Sequence, residues 1–525
     1  MSSLNSSGFS VVDGLIIFVY LGTLMAIGFY FSRKQKTLDD YFKSGKQLGW
    51  LSVGISLMAA LNSGLDYINT PAVVFGIGMI TVMSFISWIP LYPWVTRVTI
   101  PIYRRLDVFS AYEYLELRFD LSVRAVGSAI FILWRIGWMG AALYVPCLAV
   151  KAATGGQLDI FWMIILLGSL VTIYTMLGGM KAVIWTDVTQ FFVMFTGLFA
   201  TLYFIISNTP GGVSEVYRLA QESGRIDLIA DIPEMQGASL IEKIRLYLTE
   251  DLTLVGVVLV VTIGRFAAFT ADQIAILRFQ AMRSIREARK SYLINAFSDT
   301  VWMVLLGFVG LALFAFYQYS EYPQGIQNDH ILPYFMANHF PVGLTGLVIA
   351  AIFAASLSSV DAAINSTTSV IVVDYYNRLY LGKVRPAENL TAKEERKQIL
   401  VSRIATLCVG GVMILVASNV GRMGELYAAA NRIIGSFSGP LFGIFVLGMF
   451  SRKSHSIGVF IGALAGLITS IYVAFFSEFS WVWPPPLGIL ATLIVGYLAS
   501  LIVTKKAVEK PPLTFKEVMK LPESD

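Results

Sequence analysis

Apolar residues run along this chain in blocks of roughly 20, the length a helix needs to cross a bilayer, with short polar segments between them. About thirteen blocks follow one another, near residues 10–31, 50–71, 75–99, 123–149, 158–177, 183–206, 249–275, 292–318, 343–374, 400–418, 426–450, 456–476 and 486–504. The pattern predicts an all-α membrane protein in which residues 1–525 form a single transmembrane unit without a soluble domain. The polar stretch 207–247 is the longest outside the blocks and predicts a short amphipathic helix over Val213–Glu222, while the tail after Lys510, with Pro511 and Pro512, reads as loosely ordered.

One block stands apart. GLVIAAIFAASLSSVDAAINSTTSVIVVD, from Gly346 to Asp374, is apolar enough to cross yet holds Ser358, Ser359, Asp361, Asn365, Ser366, Thr367 and Thr368. A carboxylate and hydroxyls in hydrocarbon are costly unless they line a cavity or hold a cation. Clustered oxygens suit a hard cation such as sodium. Ser358 and Asp361 are three apart and therefore share a helix face, and Asp187 is a second carboxylate that could join them.

Two further blocks are interrupted. SVGISLMAALNSGLDYINTP has Asn62, Ser63, Gly64 and Asp66 at mid-depth, and VVLVVTIGRFAAFTADQ has Gly264, Arg265, Thr270 and Asp272. Polar, glycine-containing interruptions at matching places in two halves mark an inverted-repeat transporter with its site at the midplane. If the first opens near Ala59–Asn62, its freed carbonyls need partners, and a cation facing Ser358 and Ser359 supplies one. Arg135, Arg265 and Arg432 also lie inside blocks, where a charged guanidinium must grip a protein carboxylate or a ligand anion. Trp134, Trp138, Phe266 and Phe269 flank these charges and could stack on a substrate.

Composition agrees: 56% of residues are hydrophobic and 14% charged, with mean hydropathy +0.69. Lys and Arg gather in alternate connections: Arg33–Lys46, Arg104–Arg118, Arg278–Lys290 and Lys383–Lys397. This bias places the N-terminus outside and the tail from Lys505 in the cytoplasm of a multi-pass cell-membrane protein. It also accounts for the net charge of +5, so basic loops are expected to meet anionic lipid and no nucleic acid. The first block has no preceding Lys or Arg and reads as a retained helix rather than a leader. Cys147 and Cys408 give neither a disulfide framework nor metal-ligand spacing.

Three longer motifs, IYTMLGGMKAVIWTD (Ile173–Asp187), the Ser358–Ser359 helix ending in INSTTSVIVVDYY, and VLGMFSRKSHSIGVFIGALAG (Val446–Gly466), resemble the sodium:solute symporter family. The likeness implies the leucine-transporter fold. An inverted repeat of five plus five helices (residues 50–206 and 249–450) would follow one extra helix (10–31) and precede about two more (456–504) and a cytoplasmic tail (505–525). It implies a sodium site of Ala59, Asn62, Ala355, Ser358 and Ser359, the first three through carbonyls. A second sodium in that family falls here on Asp187, Ser358 and Asp361, with Ala362 where the family has a further hydroxyl. The substrate positions fall on Ser63, Asp66, Arg135, Trp138, Arg265, Phe269, Asn431 and Arg432, with Phe85 where sugar transporters carry Glu. Arg135, Arg265 and Arg432 against Asp66 leave a positive surplus, which favours an organic anion, carboxylate or sialic-acid-like; a sugar or polyol is the alternative.

The expected activity is therefore sodium-driven symport of a small solute by alternating access, with no enzymatic step and no obligate protein partner. A channel would need a continuous polar pore, an intramembrane enzyme a nucleophile–base pair, and a sensor an output domain.

Overall fold

The computed structural model describes residues 9–523 apart from 34, 36, 47, 157, 228–236, 250–252, 323–324, 384–389, 422–425 and 504–512. Its framework is α1 (Val11–Ser32), α2 (Trp50–Leu61), α3 (Gly64–Ile77), α4 (Met79–Leu106), α5 (Leu121–Ala153), α6 (Ile160–Ser207), α7 (Gly212–Glu222), α8 (Leu254–Thr270), α9 (Gln273–Gln280), α10 (Ile285–Phe316), α11 (Leu344–Val370), α12 (Ala392–Val420), α13 (Leu426–Phe450), α14 (Ser456–Phe476), α15 (Pro484–Ile502) and the short α16 (Phe515–Val518).

Ten of the described helices are long and apolar enough to cross a membrane, and two bent pairs raise the number to twelve. The 48 residues of α6 would span about 72 Å as one helix, over twice a hydrocarbon core. They are two helices joined by a kink at Gly179, whose φ of 54° and ψ of −160° interrupt the helix. A side chain there is excluded by conformation and by the Tyr41 carbonyl, 2.8 Å from where its Cβ would sit. Dividing α6 at Gly179 brings the described spans to thirteen.

Between α2 and α3 the chain bends by 62°. Asn62 and Ser63 are extended there, with ψ of 148° and 169°. The helix restarts because the Ser63 hydroxyl accepts from Leu65 N at 3.2 Å while Asp66 accepts from Ser63 N at 2.7 Å, a capping box.

The second break is not at Gly264, where α8 runs through unbroken; it falls at Ala271–Asp272. Glycine alone does not end a helix, because its backbone bonds survive; a break needs partners for the groups it frees. Here Asp272 Oδ1 accepts from Ile274 N at 2.9 Å, Tyr112 donates to the Ala271 carbonyl at 2.7 Å, and Tyr103 donates to that of Thr270.

Both breaks lie beside α11, in which every residue from Val348 to Val370 is buried. It packs against α1, α2, α3, α5, α6 and α9. At Gly64 the approach is so close that a Cβ would stand 2.1 Å from Ser356 Oγ, the small-residue contact that lets membrane helices meet. The tail differs from expectation over residues 513–523: Phe515 packs on Phe450 with ring centroids 5.9 Å apart, Arg452 pairs with Glu517 at 2.8 Å, and Val518 is fully buried.

Candidate functional site

Where α11 faces the end of α2, hard oxygens gather. Ser358 Oγ donates to the Ala59 carbonyl at 2.9 Å and the Ala355 carbonyl at 3.1 Å, and Ser359 Oγ to the carbonyls of Ala355 at 3.2 Å and Ser356 at 2.9 Å. All these residues are fully buried. The hydroxyls can turn lone pairs inward while the carbonyls already converge, so the donor set fits a sodium ion. Asn62, the remaining residue of the expected set, is extended at the break. Its side chain reaches away, donating to Met58 O at 3.0 Å and Asp299 Oδ1 at 2.9 Å.

A second polar cluster lies beside the first. Asp361 Oδ2 accepts from Tyr174 at 2.8 Å and Thr186 at 3.3 Å, while its Oδ1 has no hydrogen-bond partner among the described residues. The neighbouring Asp187 is less free than the sequence suggests. Its Oδ2 accepts from Ser56 at 2.5 Å and pairs with Arg278 at 2.8 Å, leaving Oδ1 unpartnered among the described residues. Arg278 falls just past the seventh apolar block, and its sequence position alone predicts a cytoplasmic loop. In the structure it is buried, 1% exposed, on α9. One guanidinium among two carboxylates leaves the cluster a negative surplus that suits a cation.

A cavity of about 310 Å³ opens against the break after α2 and against the face of α8 from Val257 to Phe269. Its walls include Asn62, Asp66, Trp88, Trp134, Arg135, Trp138, Arg265, Phe269, Asn295 and Asp299, with Val257, Val261, Trp481 and Pro485 toward one end. Asp66 is occupied in capping α3, and Ser63 shares that cap. Phe269 packs edge-on to Trp88 and Tyr292, with centroids 5.8 and 5.3 Å away.

The arginines depart from the expected positive surplus. Arg135 pairs with Asp272 and lies over Trp134 and Trp138, 4.5 and 5.1 Å from their ring centroids. Arg265 pairs with Asp299 at 2.5 Å and lies 4.2 Å from the centroid of Trp88. Arg432 is exposed and does not line the cavity, and the side chain of Asn431 lies outside the described residues. The walls therefore carry two arginines already matched by Asp272 and Asp299. Asp299 and Trp88, absent from the sequence-based site, hold Arg265; an aspartate at span depth gave a signal for the first, and nothing local marked the second. Left without partners among the described residues are Trp134 Nε1, Arg135 Nε, Asn69 Nδ2, Asn295 Nδ2 and the hydroxyls of Thr81, Ser84 and Ser438, all on cavity-lining residues.

Comparison with known proteins agrees with this layout. The sodium:solute symporter family profile matches residues 41–466. The sodium/sialic acid symporter of Aliivibrio fischeri is 30% identical over 506 residues, covering 95% of this chain and 94% of that protein. The sodium-dependent multivitamin transporter of Oryctolagus cuniculus is 32% identical over 486 residues, covering 90% and 71%. The solved structure of a Na+-coupled sialic acid symporter, substrate-bound and outward-open, superimposes with a TM-score of 0.83 at 28% identity over 94% of this chain and 99% of that one. With two broken helices meeting a serine-bearing central helix in the leucine-transporter arrangement, the protein belongs to the sodium:solute symporter family and is a multi-pass membrane transporter that moves a small solute with sodium.

Proposed function

We propose that this symporter imports a small organic anion, and that the observation carrying this is the donor-rich cavity beside the break. Trp134 Nε1 and Arg135 Nε can only donate, and both lack partners among the described residues of a largely apolar enclosure. Both donors are buried behind the wall, so a carboxylate bearing hydroxyl or amide groups would satisfy them as the wall rearranges around it, with Trp138 and Phe269 packing on its apolar face. The relatives that carry sialic acid support the same class. Sodium enters at Ala59, Asn62, Ala355, Ser358 and Ser359, and a second cation at Asp361 with Asp187 and Ser358.

The matched pairs Arg135–Asp272 and Arg265–Asp299 favour the second reading, a sugar or polyol, because they leave no unbalanced guanidinium. A thermal-shift screen of carboxylates, sugars and amino acids, in sodium and in potassium, separates the two. Stabilisation by a carboxylate only in sodium supports the anion; stabilisation by uncharged polyols alone replaces it. Proteoliposome uptake that runs equally well in potassium would overturn sodium coupling at these residues.

In this reading the N-terminus is outside and the tail cytoplasmic, with lipid around the apolar exterior. Residues 50–206 and 249–450 are the two repeats, flanked by 10–31 and 456–504. The cavity then opens toward the outside, since Val257, Trp481 and Pro485 belong to the outer ends of their spans.

A further inference from the structure

We propose that Asn62 and Asp299 form a relay through which the sodium site sets the position of Arg265 in the cavity wall, and that Trp88 reports its state. The proposal rests on the reading that the Ala59 and Asn62 carbonyls hold sodium.

Asn62 belongs to both places at once. Its backbone is the extended link at the end of α2, three residues after Ala59, whose carbonyl Ser358 contacts. Its side chain lines the cavity and donates to Asp299 Oδ1 at 2.9 Å. The other oxygen of Asp299 accepts from Arg265 Nη2 at 2.5 Å and Trp88 Nε1 at 3.1 Å. Arg265 completes its set on Ser87 Oγ at 2.6 Å and the Ser84 carbonyl at 3.1 Å. One carboxylate thus ties together the break after α2, α4, α8 and α10.

This arrangement transmits because Asn62 is held by helix on one side only: its N–H and Nδ2 both donate to the Met58 carbonyl of α2, at 3.2 and 3.0 Å, while the chain after it is extended. With ψ of 148°, the carbonyl of Asn62 turns off the line of α2, so a cation bound there acts on the residue whose amide also meets Asp299. A cation that fixes the Ala59 and Asn62 carbonyls fixes that backbone and keeps the amide on Asp299. Without the cation the amide keeps only its bond to the Met58 carbonyl, and Asp299 Oδ1 loses the donor that orients it. Its other oxygen then turns, carrying the Arg265 guanidinium and the Trp88 indole hydrogen bond with it. Sodium occupancy and the shape of the substrate wall are then one coupled equilibrium. The alternative is that Asn62 merely satisfies a buried carboxylate and senses nothing.

The test uses the purified full chain and sodium alone. Trp88 fluorescence, isolated as the difference from Trp88→Phe, is followed while sodium replaces choline at constant ionic strength, with 22Na+ binding measured in parallel. The protein should show a saturable Trp88 change that follows 22Na+ binding. Asn62→Ala should lose the Trp88 change even at sodium concentrations that saturate its own 22Na+ binding. Asn62→Ser, whose side chain is too short to reach Asp299, should behave alike if the Ala variant folds poorly. Ser358→Ala with Ser359→Ala should lose both signals together. A full Trp88 response in either Asn62 variant, or 22Na+ binding by the unaltered protein with no Trp88 response, overturns the relay. Absence of 22Na+ binding to the unaltered protein overturns the sodium reading itself and the relay with it.

Discussion

The polar groups of α11 and the charged groups of the cavity are both buried within the membrane-spanning body, and they are used in opposite ways. On α11, Ser358 and Ser359 donate only to backbone carbonyls, and Asp361 keeps one oxygen unpartnered among the described residues. In the cavity, Arg135 and Arg265 are each committed to an aspartate and stacked on tryptophan. Neutral hydroxyls can be left waiting at modest cost, whereas an isolated guanidinium cannot. An intramembrane arginine is therefore weaker evidence for a ligand than an intramembrane serine pair. What the cavity leaves for a substrate is the remaining donor capacity of its walls, not its formal charge.

Removing a committed charge should have the largest effect. Arg135→Gln leaves Asp272 buried and unpaired, at a cost of about 3–5 kcal/mol, and disturbs the residue that caps α9. Thermal unfolding in detergent should show this loss, and Asp272→Asn added to the variant should recover much of it. If Arg135→Gln keeps its stability but loses substrate, the pair is dispensable and the arginine is a ligand.

Arg265→Gln should be gentler on folding, because Asp299 keeps Trp88 and Asn62 as donors. Affinity for a carboxylate substrate should fall by roughly 2–5 kcal/mol, with partial recovery in Arg265→Lys, which keeps charge but loses the fork. Equal affinity for a carboxylate in the Gln variant would leave the pair purely structural and favour the polyol reading.

On α11 the effect should be one of ion affinity. Ser358→Ala with Ser359→Ala removes two hard ligands and should raise the sodium concentration for half-maximal uptake at least tenfold, about 1.4 kcal/mol. Asp361→Asn should leave that affinity nearly intact and lower the number of sodium ions carried per substrate, read from the reversal potential. Unchanged stoichiometry would make the Tyr174–Asp361 hydrogen bond a structural device.

The two regions were also unequally legible. The α11 cluster could be read directly because its residues are neighbours along one helix, and the Asn62–Ser63 break because a cap is local chemistry. Gly264 misled because glycine signals permission, while the break at Ala271–Asp272 depends on hydroxyls from Tyr103 and Tyr112, distant in sequence. Arg278 was hidden by its place at the edge of a hydrophobic block. Pairings such as Arg135–Asp272 and Asp187–Arg278 join residues over 90 positions apart, and no periodicity reports them. Charge counting succeeded in finding buried arginines and failed to say whom they face.

The smallest expected effect belongs to Arg432, and it probes whether the comparison holds in more than one conformation. Its side chain is exposed on α13 and outside the cavity, although Ile434 and Gly435, just beyond it, line the wall. As a surface substitution, Arg432→Gln should change stability and substrate affinity by no more than about 0.5 kcal/mol. The measurement is substrate affinity at saturating sodium, set beside Arg265→Gln. A loss of tenfold or more would mean that α13 carries this guanidinium inward when the outer side closes. Unlike Arg135 and Arg265, it would then bring a guanidinium with no matched carboxylate among the described residues, setting three arginines against Asp66, Asp272 and Asp299. The anion would then be selected by closure, and the paired arginines would only shape the space it enters.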